Sequence, residues 1–144
     1  MTSVLTQLVA RSLLAPALVV AAAILVKGYS DVGDGFAAAI VAALGILLQF
    51  LAFGRGQVAA VLPIGRAPLV ALCGLGLAVT VFAVPLAVGA APLEHWPPAA
   101  QSPVHVGSLE LITAVAFDIG VFLLVLGSAV AIIDALAATA EDEA

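Results

Sequence analysis

Four stretches of this chain run almost without charge for close to the length that crosses a bilayer: Ser12–Val26, Gly35–Gly54, Ala67 to about Leu93, and Leu111–Ile133, the last interrupted only by Asp118. A hydrocarbon core about 30 Å thick is spanned by roughly 20 apolar residues in a helix. No water is present there to satisfy the backbone, so each stretch must bond its own peptide groups, as an α-helix does. The first stretch is the shortest. Arg11 and Lys27 bound it, and their long stems can lie along apolar surface while the charges reach the interface. The block continues through Ile24, Leu25 and Val26 after Ala21–Ala23, which favours a retained span over a cleaved leader. The sequence therefore predicts one all-α integral membrane domain over residues 1–144, a bundle of four transmembrane helices at approximately 9–27, 35–54, 67–90 and 110–137. A Pro-rich loop (Pro92, Pro97, Pro98, Pro103) with Trp96 joins helices three and four, and an acidic tail follows over 138–144.

Composition removes the competing classes. Hydrophobic residues make up 65% of the 144 and charged residues only 9%, so lipid must solvate most of the surface. The net charge of −5 argues against a nucleic-acid partner. A lone cysteine, Cys73, cannot form an intrachain disulfide and reads as a packing residue. With four spans, both termini and the Arg55–Arg66 connection share one side, which carries Arg11, Arg55 and Arg66, against Lys27 alone on the other. The excess of arginine predicts cytoplasmic termini in a multi-pass protein of the cell membrane.

Small residues suggest how the helices meet. Ala38, Ala42, Gly45, Gln49, Ala52 and Gly56 fall on one narrow face of helix two, where another backbone can approach closely. Helix three offers Gly76, Thr80, Ala83 and Ala87 at similar spacing, and helix four offers Gly120, Gly127, Ala131 and Asp134.

Few polar positions lie within or beside the spans. Asp118 is placed roughly 10 Å along helix four at about 1.5 Å per residue. An ionised carboxylate at that depth must be paired, neutral or wet, and such acids mark ion or proton paths. An equally weighted reading makes it an acceptor that fixes assembly. Lys27 is its candidate partner on the same membrane side, although a snorkelling anchor is the favoured role for that lysine. Glu110 is read as an acid in the first turn of helix four, where the helix dipole favours it. Asp31 and Asp34 lie in GYSDVGDGF between the first two spans. Their spacing is incomplete for a calcium loop, and His95 and His105 alone define no metal site, so no metal is expected. No nucleotide motif, nucleophilic triad or cofactor signature is present, and no catalysis is expected of this chain.

Larger patterns are recognisable as well. KGYSDVGDGFAAAIVAALGILLQFLAFG, then VAAVLPIG, then LELITAVAFDIGVFLLVLGSAVAII with an acidic tail, resemble the B subunit of the Mrp (also called Mnh) multisubunit sodium/proton antiporters over nearly the whole chain. The most specific matches are Gly35-Phe36 at the start of helix two, Leu51–Gly54 at its end, and Phe117-Asp118-Ile119-Gly120 with Phe122. Asp118 falls on the family's helix-four aspartate, and Gly35 and Phe36 on its glycine-phenylalanine pair. Typical members carry histidine and asparagine before a proline and a row of glycines where Tyr29, Ser30, Val32 and Asp34 stand here, so two added acids change that loop's electrostatics.

The resemblance implies an accessory membrane subunit of a cation (Na+)/proton antiporter, with other antiporter subunits, the lipid bilayer, sodium ions and protons as its partners. Asp118, Lys27, Glu110, Asp31 and Asp34 are the candidate ion-path or coupling residues, and Gly35, Phe36, Gly45, Gln49, Gly120 and Gly127 the candidate packing residues. The alternative is a structural subunit of a related hydrogenase-like or respiratory ion-pumping complex, in which Asp118 would serve assembly. A free-standing homo-oligomer is a third reading.

Overall fold

The computed structural model describes residues 3–27, 33–91, 93, 104–106, 109–111 and 113–142. Within them, four helices are long and apolar enough to cross a membrane. Helix α1 covers Val4–Lys27, α2 Asp34–Phe53, and a short α3 Arg55–Val61. A 3-10 turn, Ile64–Arg66, leads into α4, Ala67–Ala87. Two three-residue strands follow, β1 Val104–Val106 and β2 Leu109–Leu111, before α5, Thr113–Asp142.

The helix ends depart from the expected ones for local reasons. Helix α1 starts at Val4 because Ser3 caps it: the Thr6 N–H donates to Ser3 Oγ at 3.1 Å. Helix α4 stops at Ala87, shortly after Pro85, and the Ala90 N–H closes back on the Pro85 carbonyl at 2.9 Å. Helix α5 runs on to Asp142, so most of the expected acidic tail is helical. Ala135, Ala137, Ala138 and Ala140 supply the strongest helix propensity of any residue type.

The approach to α5 needs correction. Glu110, expected in the first turn of helix four, belongs to β2, which pairs antiparallel with β1 so that His105 stands opposite Glu110. Val-His-Val and Leu-Glu-Leu alternate apolar and polar with period two, a strand pattern at the edge of a helical span. Most of the Pro-rich loop, with His95 and Trp96, lies outside the described residues.

The spanning helices form their bundle as an open row. Helix α1 packs on α2, α2 on α5, and α5 on α4, while α1 and α4 share no comparable contact. Nine residues of α2 are buried: Gly35, Ala38, Ala39, Ala42, Ala43, Gly45, Gln49, Phe50 and Ala52. That is the inner position in the row. On α1 only Ala10 and Ala21 are buried; its valines and most of its leucines are exposed, with Leu14 and Leu25 half-buried.

The α4–α5 seam is the closest. A methyl group added at Gly74 would strike the Leu124 backbone nitrogen, and one at Gly127 the Ala71 nitrogen. The face of α4 that packs is therefore Ala67, Ala71, Gly74 and Ala78. Gly76, Thr80, Ala83 and Ala87, the stripe expected at a helix contact within the bundle, are exposed on this chain. Both stripes have the same spacing, and the one opposite Gly120 and Gly127 wins because two glycine surfaces allow the backbones to meet.

At the end of the row that holds the N-terminus, Phe50, Val58, Ile64, Ala67 and Val130 form a small apolar cluster under α3 and the 3-10 turn. The redirection begins at Gly54, whose φ of 78° and ψ of 163° are open essentially only to glycine. Its N–H still bonds the Phe50 carbonyl at 2.9 Å.

Candidate functional site

The site is built where the first turn of α2 crosses α5. Asp118 lies about 8 Å along α5 from Thr113 at ~1.5 Å per residue. Its residue surface is only 5% exposed. The reason it can come so close to α2 is Gly35: a Cβ there would collide with the Asp118 carbonyl oxygen. The absent side chain allows the two backbones to touch.

That contact brings the carboxylate onto the start of α2. The Gly33 N–H donates to Asp118 Oδ2 at 3.0 Å. Gly33 is the N-cap of α2 and has no side chain to cap with; its φ of 122° suits glycine. The N-terminus of a helix carries unsatisfied N–H groups and partial positive charge, and a carboxylate from the neighbouring helix answers both. Oδ1 of Asp118 makes no hydrogen bond among the described residues, where no buried side-chain oxygen lacks a partner.

Asp34, one residue beyond Gly33, holds Lys27. The Lys27 Nζ lies 3.4 Å from Asp34 Oδ2, with the lysine side chain 67% exposed. This corrects the pairing expected for the lysine: it takes Asp34 rather than Asp118. An i, i+7 pair across the α1–α2 connection needs only a short reach. Asp31 lies outside the described residues, and the side chain of Glu110 is likewise not among those described. The site as described thus joins Lys27, Gly33, Asp34, Gly35 and Asp118. Phe36, expected at a packing contact, is 57% exposed on this chain.

Two further polar contacts tie the elements together, through Gln49 and Asp134, which the sequence places on packing sides without naming their partners. Gln49 is 6% exposed and donates to the Ala10 carbonyl at 2.7 Å and to the Gly45 carbonyl at 3.3 Å, pinning α1 to α2. A Cβ on Gly45 would come within 3.0 Å of the Ala17 Cβ, so the same seam depends on that glycine. At the N-terminal end, Arg55 Nε donates to Asp134 Oδ1 at 2.7 Å and Arg55 Nη2 to Oδ2 at 3.5 Å. The fork binds α3 to α5 in a two-pronged geometry. The only sequence signal for it is an acid near the end of an apolar helix and an arginine just after a glycine break. Among the described residues no group of three or more histidine, cysteine, aspartate or glutamate side chains is placed to hold a metal ion.

Comparison with known proteins gives a consistent set of relatives. The family model described as a domain related to the MnhB subunit of Na+/H+ antiporter matches residues 5–131. The B subunit of the Na(+)/H(+) antiporter of Alkalihalophilus pseudofirmus is 32% identical over 106 residues, 74% of this chain and 72% of that protein. The corresponding B subunit from Bacillus subtilis is 34% identical over 110 residues, 76% of each.

Proposed function

This chain belongs to the family of the MnhB subunit of Na+/H+ antiporters, and from that premise we propose that it is the B-type membrane component of a multisubunit sodium/proton antiporter. It is a multi-pass membrane protein working in the cell membrane with both termini in the cytoplasm, as the excess of arginine at the N-terminal end of the row favours. Its partners are the other subunits of that antiporter, and the cations exchanged by the whole are sodium ions and protons. Exchange is powered by the membrane potential, at about 2.3 kcal/mol per elementary charge per 100 mV. The role of this chain is that of a transport-complex subunit.

The observation that supports a site within it is Asp118, a buried carboxylate inside an otherwise apolar helix that holds the start of a neighbouring helix. One oxygen fixes the α2 N-terminus, so the residue orders the crossing and sets a carboxyl group next to the segment that carries the Lys27–Asp34 pair. The structural half of that role also fits a related hydrogenase-like or respiratory complex, where the same crossing would serve assembly alone.

Everted membrane vesicles test the assignment. Deleting this chain from an otherwise complete antiporter should abolish the sodium-induced collapse of the proton gradient, and restoring it should recover the collapse. The purified chain, reconstituted alone, should exchange nothing. Sodium/proton exchange by the chain alone would overturn its role as a subunit, and co-purification with redox subunits would move it to the respiratory class.

A further inference from the structure

Arg11 stands in an unusual place. It lies about 10 Å along α1 from Val4 at ~1.5 Å per residue, and the helix is apolar on both sides of it. Leu8, Val9 and Leu13 are exposed beside it on the outward face. A guanidinium is always charged, and at the edge of an apolar span it requires an anion or water. Among the described residues it forms no ion pair; the pairs found there are Lys27–Asp34 and Arg55–Asp134.

The arginine borders a cavity of about 210 Å³ between α1, the end of α2 and α3. Gln49 and Gln57 supply its other polar lining, Leu14, Phe53 and Val61 are among its apolar wall, and no acidic side chain lines it. The Gln49 amide nitrogen already serves two backbone carbonyls, which leaves its oxygen as an acceptor. The cavity thus offers one fixed positive charge, one acceptor, a further carboxamide and apolar walls. Its volume falls below the roughly 300 Å³ of sites that enclose a drug-sized ligand, which suits a fragment anchored elsewhere.

We propose that this cavity is a binding site for the phosphoglycerol headgroup of an anionic phospholipid. Arg11 takes the phosphate, the Gln49 oxygen takes a glycerol hydroxyl, and the acyl chains lie outside along the exposed leucines and valines of α1. A soluble phosphate has the same anionic chemistry but no use for the apolar wall. An arginine fork matches phosphate oxygens in two-pronged geometry, and the charge that is costly in hydrocarbon is neutralised where it stands.

Membranes holding the whole complex are irradiated with photoactivatable phosphatidylglycerol, and labelled segments are mapped by mass spectrometry. Labelling is expected on the segments carrying Leu14 and Val61. It should fall about tenfold in Arg11→Gln, the factor that one charge-assisted hydrogen bond supplies. Arg11→Lys, which keeps the charge but not the fork, should fall between the parent and Arg11→Gln, with complex assembly measured for both variants. Phosphatidylcholine of the same chains should not label, and excess glycerol phosphate should not compete. Equal labelling by phosphatidylcholine, labelling indifferent to Arg11→Gln in an assembled complex, or no labelling because a neighbouring subunit covers the cavity would each overturn the site. Competition by glycerol phosphate would overturn the lipid as its occupant.

Discussion

Replacing Gly35 with alanine should destabilise the chain, and the same change at Gly76 should not. Helix propensity favours alanine at both positions, by up to about 1 kcal/mol. At Gly76 the added methyl meets nothing within 4 Å, so that gain stands or is lost in the noise. At Gly35 the methyl lands on the Asp118 carbonyl oxygen, and a backbone atom has no rotamer by which to move aside. The helices must part by on the order of an ångström to restore van der Waals contact. The Gly33–Asp118 hydrogen bond, 3.0 Å long, spans the same crossing and lengthens past its useful range. Forcing the helices apart costs about 1–3 kcal/mol, and losing a bond to a charged acceptor about 1.5–3 kcal/mol. Set against the propensity gain, Gly35→Ala should cost about 1.5–5 kcal/mol. Equilibrium unfolding of the purified chain in mild detergent, titrated with sodium dodecyl sulfate and followed by circular dichroism, measures it. A Gly35→Ala protein as stable as the parent would refute the close crossing as the source of order at the start of α2.

Two other substitutions separate charge from structure. Asp118→Asn keeps an oxygen for the Gly33 N–H and should cost only about 1 kcal/mol, leaving the complex assembled while sodium-driven proton movement falls; Asp118→Leu should lose the complex itself, measured by co-purification. If both variants assemble and transport normally, Asp118 has neither role. A double-mutant cycle on Arg55→Gln and Asp134→Asn should return a coupling of about 0.5–1 kcal/mol that weakens with salt, because the arginine side chain is 38% exposed. A coupling indistinguishable from zero at low salt would show that the fork between α3 and α5 is not held in solution.

The spans were legible because a bilayer demands length and apolarity at once, and both can be read along a chain. One packing side of α2 was legible too, since Ala38, Ala42, Gly45, Gln49 and Ala52 recur at helical spacing and are all buried, whereas Gly56 falls in α3 beyond the break at Gly54, and Ala39, Ala43 and Phe50 make a second buried side that spacing did not single out. On α4 two stripes of equal merit exist, and only Gly120 and Gly127 of α5, far along the sequence, decide between them. Asp118 announced itself as a lone acid in an apolar run, but its partner is a backbone N–H, which has no signature in sequence. Lys27 has Asp34, seven residues on, as its acid where the sequence offered Asp118, and its 67% exposed side chain suits the anchor role favoured for it. The Arg55–Asp134 fork depends on the turn at Gly54, and a positive φ cannot be told from any other glycine by composition.

The row of spanning helices has a consequence for where an ion can go. A wall one helix thick has two sides and no lumen, and with α1 and α4 at opposite ends it does not curl round to make one. A hydrated passage needs protein all the way around it, or the bilayer closes the gap. Whatever crosses the membrane beside this chain must therefore run along one of its flanks, with a second protein supplying the facing bank.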